Sequence, residues 1–103
     1  MALSNEQKKS YRAIGHQLNP IVTVASNGLT TGVIEELERA LNDHELIKIK
    51  VSVGYREVKK EVIAEILKLT KAEMVQQIGN TALLLRRNPK AKASLSNLSN
   101  VIR

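Results

Sequence analysis

One segment in the first third of the chain limits the possible folds more than any other, because a strand pattern, a turn and a helix pattern follow one another without a gap. Residues 20–24 (PIVTV) are too short and too β-branched for a helix, so they predict a strand. The turn Ala25–Gly28 comes next, and its Asn-Gly pair is typical of turns because both residue types tolerate left-handed backbone. From residue 31 apolar residues recur at helical spacing, and Thr30 and Thr31 offer a hydroxyl N-cap.

A turn of this kind has a chemical use as well as a structural one. It carries almost no bulky side chain, and it stands at the N-terminus of a helix, where backbone N–H groups and the positive end of the helix dipole attract anions. We therefore predict a phosphate-binding loop formed by Ala25, Ser26, Asn27 and Gly28. Taken alone, the same pattern also fits a turn with no binding role.

The remaining elements predict an α/β fold in one domain. Ser4 to Gln7 reads as a capping box that opens a first helix, with Leu3 as its hydrophobic staple. Further patterns predict a second helix over 31–42, a strand over 46–53, a third helix over 56–70, and a hairpin of strands 73–78 and 81–87 around Gly79-Asn80. The order is a helix followed by βαβαββ, which favours a four-stranded mixed sheet packed with helices. Residues 1–88 form the domain, and 89–103 are expected to be a flexible basic tail.

The charge distribution points to a polyanionic partner. The formal net charge is +6 with a pI near 9.8, and residues 74–103 contain basic residues but no acidic one. Lys8, Lys9 and Arg12 form a basic stripe on the first helix, and His16 follows it as a candidate phosphate or base contact. One of Arg86 and Arg87 should point outward at the end of the last strand, and Arg86 is included among the candidate contacts to the polyanion. A role in solubility alone is the competing interpretation.

Composition excludes several functional classes. The chain has no cysteine and only two aromatic residues, both tyrosines, so disulfides, thiolate zinc sites and a base-stacking sheet surface cannot be built. His16 and His44 lack the spacing of a metal site, and no nucleophile–base pair is recognisable, so we expect no catalytic residue, metal or other cofactor. No apolar run is long enough for a membrane span, and we expect a cytoplasmic bacterial protein without a small-molecule substrate.

The chain resembles a known family in six segments: 18–20 (LNP), 26–30 (SNGLT), 44–48 (HELIK), 56–57 (RE), 77–79 (QIG) and 83–86 (LLLR). Together they are similar to bacterial YhbY proteins, which are stand-alone CRM domains (chloroplast RNA splicing and ribosome maturation). The resemblance implies a fold related to the C-terminal domain of translation initiation factor three. It also implies binding to structured RNA, in bacteria to precursors of the large ribosomal subunit. The family carries a GxxG loop, whose first glycine is replaced here by Ala25, a residue that resists positive φ.

These observations predict a monomeric RNA-binding protein that acts on ribosomal RNA during assembly of the large subunit. Specificity would come from the shape of the RNA, because phosphate contacts carry no sequence information. Two alternatives remain open: a protein-interaction module on ribosomal particles, and an architectural protein of the Alba kind that binds DNA and RNA.

Overall fold

The part of the chain that the structure describes contains three helices and four strands in the order expected from the sequence. The computed structural model describes residues 4–92 and 94–98, so Leu3 and its expected staple lie outside the described residues. The elements are α1 (Asn5–Gly15), β1 (Pro20–Val24), α2 (Thr31–His44), β2 (Leu46–Val51), α3 (Arg56–Thr70), β3 (Glu73–Ile78) and β4 (Thr81–Leu85). The capping box at Ser4 and Gln7 is present, with the Gln7 amide donating to Ser4 Oγ over 3.1 Å. The α/β fold with an N-terminal helix is therefore confirmed.

The four strands form one mixed sheet in the order β1-β2-β4-β3. The crossover through α2 joins the parallel neighbours β1 and β2. The crossover through α3 does not join neighbours, because β4 inserts between β2 and β3 and pairs antiparallel with both. Since β1 and β2 are parallel, the loops that follow them emerge at the same edge of the sheet, and the β3–β4 hairpin reaches that edge too, where the Val51 amide donates to the Asn80 carbonyl.

Helices cover both faces of the sheet. The larger core lies between the sheet and the pair α2 and α3, and includes Leu37, Ile49 and Ile66. The smaller core lies under α1, where Tyr11 packs with buried residues of β2, β3 and β4. Gly15 permits this approach, because a Cβ there would lie 2.5 Å from Leu83 Cδ2. None of the helices in the described part of the chain is long and apolar enough to cross a membrane.

The inward stripe of α3 differs from the one expected. The apolar spacing in the sequence of this helix predicts an inward stripe of Val58, Val62, Ile63, Ile66 and Leu69. Val58 and Leu69 are instead 40% and 45% exposed. The buried side chains are Ile63, Ile66 and Thr70, a spacing that leaves both Val58 and Leu69 off the stripe. Thr70 is tolerated inside because its hydroxyl donates to the Ile66 carbonyl over 2.7 Å.

The end of the described chain is packed, which differs from the flexible tail expected after residue 88. Leu98 is 2% exposed and joins the core under α1. Asn97 donates from its backbone to the His44 carbonyl and from its side chain to the Leu46 carbonyl. Ser96 donates to the buried carboxylate of Glu45 over 3.0 Å. Apolar periodicity could not reveal this packing, because it depends on polar side chains meeting particular groups at the α2–β2 junction.

Candidate nucleic-acid interface

The loop between β1 and α2 is an exposed tight turn. The Gly28 amide donates to the Ala25 carbonyl over 2.9 Å, and Ala25, Ser26 and Asn27 are exposed. Gly28, at φ +75°, is the one residue of the turn with positive φ. Ala25 therefore adopts an ordinary backbone conformation, so the alanine that replaces the first glycine of the GxxG pattern causes no strain.

Two amides at the tip of this loop are available to a ligand. Within residues 4–92 and 94–98, the N–H groups of Ser26 and Asn27 have no hydrogen-bond partner, whereas that of Gly28 is used inside the turn. Thr30 caps α2 by accepting from the Val33 amide over 3.2 Å. The site thus combines two free donors with the positive end of α2, which is the chemistry that favours an oxyanion.

The two faces of the molecule differ in charge. The helices α2 and α3 carry seven of the ten carboxylates: Glu35, Glu36, Glu38, Asp43, Glu57, Glu61 and Glu65. The opposite face, covered by α1, holds Lys8, Lys9 and Arg12 and a single carboxylate of α1, Glu6. The same two helices also carry five cations, so their formal charge is 5 − 7 = −2, whereas that of α1 is 3 − 1 = +2. The difference favours an anionic polymer on the α1 face of the sheet.

The basic residues of α1 are free to bind a ligand. Lys8, Lys9 and Arg12 form no ion pair or side-chain hydrogen bond with any other described residue. The helix packs against β2 and β3 rather than beside β1. The structure thus places this stripe on one face of the sheet, and the loop 25–28 at the edge where β1 ends.

Lys48 and Lys50 on β2 occupy the face between these two features. They share the sheet face of Leu46, which packs under α1, and Lys50 pairs in register with Thr23, two residues before the loop. The sequence offers the carboxylates of Glu45, Glu57 and Glu61 as possible partners for the two lysines. In the described structure neither lysine has an ion-pair partner. The alternation of apolar and polar residues in the sequence of β2 already indicates that the two lysines share a face. That neither lysine pairs with a carboxylate can be seen only from the tertiary structure.

His16 lies away from the loop. It is the exposed C-cap residue of α1, just before the start of β1, whereas the loop follows the end of that strand. Five residues of strand separate the two by roughly 15 Å. A ligand that touched both would have to extend along β1.

Arg86 has an internal role, which argues against its inclusion among the nucleic-acid contacts. Its guanidinium is bonded to the Thr70 carbonyl at 2.8 Å, to Asn42 Oδ1 at 2.9 Å and to the Glu38 carboxylate at 2.6 Å. Arg87 is the member of the pair that faces solvent, and it donates one hydrogen bond to the Tyr11 hydroxyl over 2.8 Å. The sequence predicted that one of the two would point outward without showing which.

Comparisons with known proteins show which family and which proteins the chain resembles. The model of the CRS1 / YhbY (CRM) domain matches residues 3–86. The Pseudomonas aeruginosa protein named probable RNA-binding protein PA4753 is 50% identical over 99 residues, which are 96% of this chain and 95% of that protein. A Haemophilus influenzae protein named RNA-binding protein is 47% identical over 93 residues, or 90% and 94% of the two chains. The solution structure of SAV1595 from Staphylococcus aureus superposes with a TM-score of 0.75 at 28% identity, covering 88% of this chain and 95% of that one.

Proposed function

The chain belongs to the CRS1 / YhbY (CRM) family, and we propose that it is a non-enzymatic protein that binds structured RNA. Its proposed partner is ribosomal RNA in precursors of the large subunit, which it would bind as a monomer in the bacterial cytoplasm. The names of the relatives from Pseudomonas and Haemophilus support RNA as the class of partner.

The observation that carries the proposal is the separation of charge across the sheet. Five basic side chains that have no partner among the described residues lie on the α1 face: Lys8, Lys9, Arg12, Lys48 and Lys50. Most carboxylates lie on the helices of the opposite face. A charge excess meant only for solubility would have no reason to collect on one side, whereas a phosphate backbone requires such a surface.

The proposed binding mode has two parts. The amides of Ser26 and Asn27 hold one phosphate at the edge of the sheet, aided by the dipole of α2. The lysines of β2 and the basic stripe of α1 neutralise phosphates further along the strand. Since these contacts reach only the backbone of the nucleic acid, the shape of the RNA decides where the protein binds.

The identity of the RNA is tested by ultraviolet crosslinking in cells, followed by sequencing of the attached RNA. We expect precursors of large-subunit ribosomal RNA to be enriched over small-subunit RNA and messenger RNA. Enrichment of another RNA class would contradict the ribosomal assignment. Association with ribosomal proteins that survives nuclease would favour a protein-interaction module, and equal affinity for duplex DNA would favour an architectural protein.

The role of the loop is tested by introducing a negative charge at its end with Gly28→Asp. Repulsion between unit charges 4 Å apart costs roughly 1–4 kcal/mol at a protein surface, so the Kd for a structured RNA should rise at least about fivefold. Gly79→Asp is the matched control, because Gly79 also has positive φ, at +56°, and both positions open to free space. The two variants carry the same charge and similar backbone strain, and equal affinity in both would remove the loop from the binding mode.

A further inference from the structure

An exposed aromatic side chain follows β2, the strand that pairs with β1 where β1 leads into the proposed phosphate loop. The chain has two aromatic residues, and they have opposite environments: Tyr11 is fully buried, whereas Tyr55 is 74% exposed. Neither the ring nor the hydroxyl of Tyr55 has a hydrogen-bond partner in the described structure. An exposed tyrosine of this kind leaves apolar surface in water that a flat ligand could cover.

Tyr55 and the loop 25–28 are held at the same edge of the sheet. Val24 and Val51 are the last paired residues of the parallel strands β1 and β2, and the Ser52 amide still donates to the Val24 carbonyl over 2.7 Å. Parallel neighbours lie about 4.8 Å apart. The segment 25–28 continues the first strand and the segment 52–55 continues the second, so the two loops leave the sheet side by side.

Both loops are short and anchored, so Tyr55 stays near the sheet edge. Gly54, at φ +88°, and a bond from the Tyr55 amide to the Val53 carbonyl turn the chain sharply before α3 begins. Val53 and Leu29 pack against the same core, beneath the two loops. Residues 46–56 contain no carboxylate, and Arg56, next to Tyr55, is exposed.

We propose that Tyr55 stacks on an unpaired base of an RNA whose phosphate is held by the loop 25–28. This inference rests on the RNA-binding role proposed above and adds a contact to a base to those made with the backbone. One tyrosine is not the multi-aromatic sheet surface excluded from the composition, but a single ring is sufficient for one base. Stacking accepts any base because every base has a π-face, and it requires that the base be unpaired.

The decisive variant is Tyr55→Ser, because it removes the ring without weakening the fold. Tyr55 is the N-cap residue of α3 and makes no side-chain cap hydrogen bond. Serine is a preferred N-cap residue, so this variant should be at least as stable as the wild type. The probes are a labelled RNA hairpin with an unpaired loop and a blunt RNA duplex of equal length.

We expect Tyr55→Ser to raise the Kd for the hairpin about 5- to 150-fold, the equivalent of ~1–3 kcal/mol for one stacked base. Tyr55→Phe should bind like the wild type, since it keeps the ring. Binding of the duplex should not change in either variant. Leu69→Ser, at another exposed apolar residue of α3, should bind both probes as the wild type does.

Tyrosine fluorescence gives an independent measurement. The hairpin should quench the emission of the wild-type protein, and Tyr55→Phe should lose this response while keeping its affinity, because Tyr11 is buried. Equal hairpin affinity of Tyr55→Ser and wild type would overturn the stacking contact and leave RNA binding standing, as would an equal loss on both probes. Failure of the wild-type protein to bind either probe would overturn the proposed function itself.

Discussion

Changing Lys8, Lys9 and Arg12 together to glutamate is expected to weaken RNA binding by about four orders of magnitude. Two unit charges 4 Å apart in water interact by about 1 kcal/mol, so each reversal alters the interaction with a phosphate by about 2 kcal/mol. The dependence of the Kd on salt should weaken as well. The logarithm of the association constant falls with the logarithm of the salt concentration. Each lost phosphate contact makes this negative slope shallower by about 0.7–0.9. Titration of a labelled structured RNA at several salt concentrations measures both effects.

The matched control reverses three cations on the opposite face: Arg39, Lys60 and Lys68. All three are exposed, and none forms an ion pair with another described residue. Either triple variant changes the formal net charge from +6 to 0, so the two differ only in where the charge is changed. We expect the control to bind RNA within a few-fold of the wild type. Equal loss in both variants would mean that net charge, and not the α1 face, governs binding.

The fold of the first variant should survive. Lys8 and Lys9 lie in the first half of α1, where a carboxylate interacts favourably with the helix dipole. Arg12 lies in the last turn, where a carboxylate is unfavourable by about 0.3–1 kcal/mol, so the effects on the helix partly offset each other. All three side chains lack internal partners in the described structure, so their replacement leaves no group unsatisfied. Circular dichroism and thermal unfolding of the variant should therefore match the wild type closely, which separates lost binding from lost structure.

The sequence predicted the fold well because most of its signals are local. Several features are determined by neighbouring residues, and the structure confirms them: the caps at Ser4 and Thr30, the alternation of β2 and the two-residue turn at Gly79. The position of β4 between β2 and β3 is not local, since it depends on which strand edges remain free after both crossovers. Patterns of single elements carry no such information.

The sequence supplied candidate residues for the site but not their arrangement. The exposed turn at Ser26 and Asn27 could be read from its composition. Other properties depend on contacts between residues far apart in the chain. These are the lack of an ion pair at Lys50 in the described structure, the exposure of Tyr55 and the internal bonds of Arg86. The Glu38–Arg86 pair, for example, joins positions 48 residues apart. The periodic pattern of apolar residues within one helix or strand cannot predict such a pair.

Arg86 and Arg87 should give opposite results when each is replaced by methionine. Arg86→Met removes hydrogen bonds to the Thr70 carbonyl and Asn42 and the ion pair with Glu38. A hydrogen bond to a charged group contributes about 1.5–3 kcal/mol, and since this guanidinium is 21% exposed, we expect the free energy of unfolding to fall by about 2–3 kcal/mol in total. The affinity of the folded variant for RNA should not change, because the guanidinium is directed inward.

Arg87→Met is the paired measurement, one residue away and with the same change of side chain. Arg87 donates one hydrogen bond to the hydroxyl of the buried Tyr11, and its own charge is exposed, so the free energy of unfolding should fall by about 1–2 kcal/mol, less than in Arg86→Met. The exposed charge of Arg87 borders the α1 face. One contact between this charge and a phosphate in water contributes about 1 kcal/mol, so its loss should raise the Kd for RNA by up to about fivefold. Chemical denaturation measures the free energy of unfolding of both variants, and titration with a labelled RNA measures their affinity. Weaker RNA binding by folded Arg86→Met, with unchanged binding by Arg87→Met, would restore Arg86 to the interface and remove Arg87 from it.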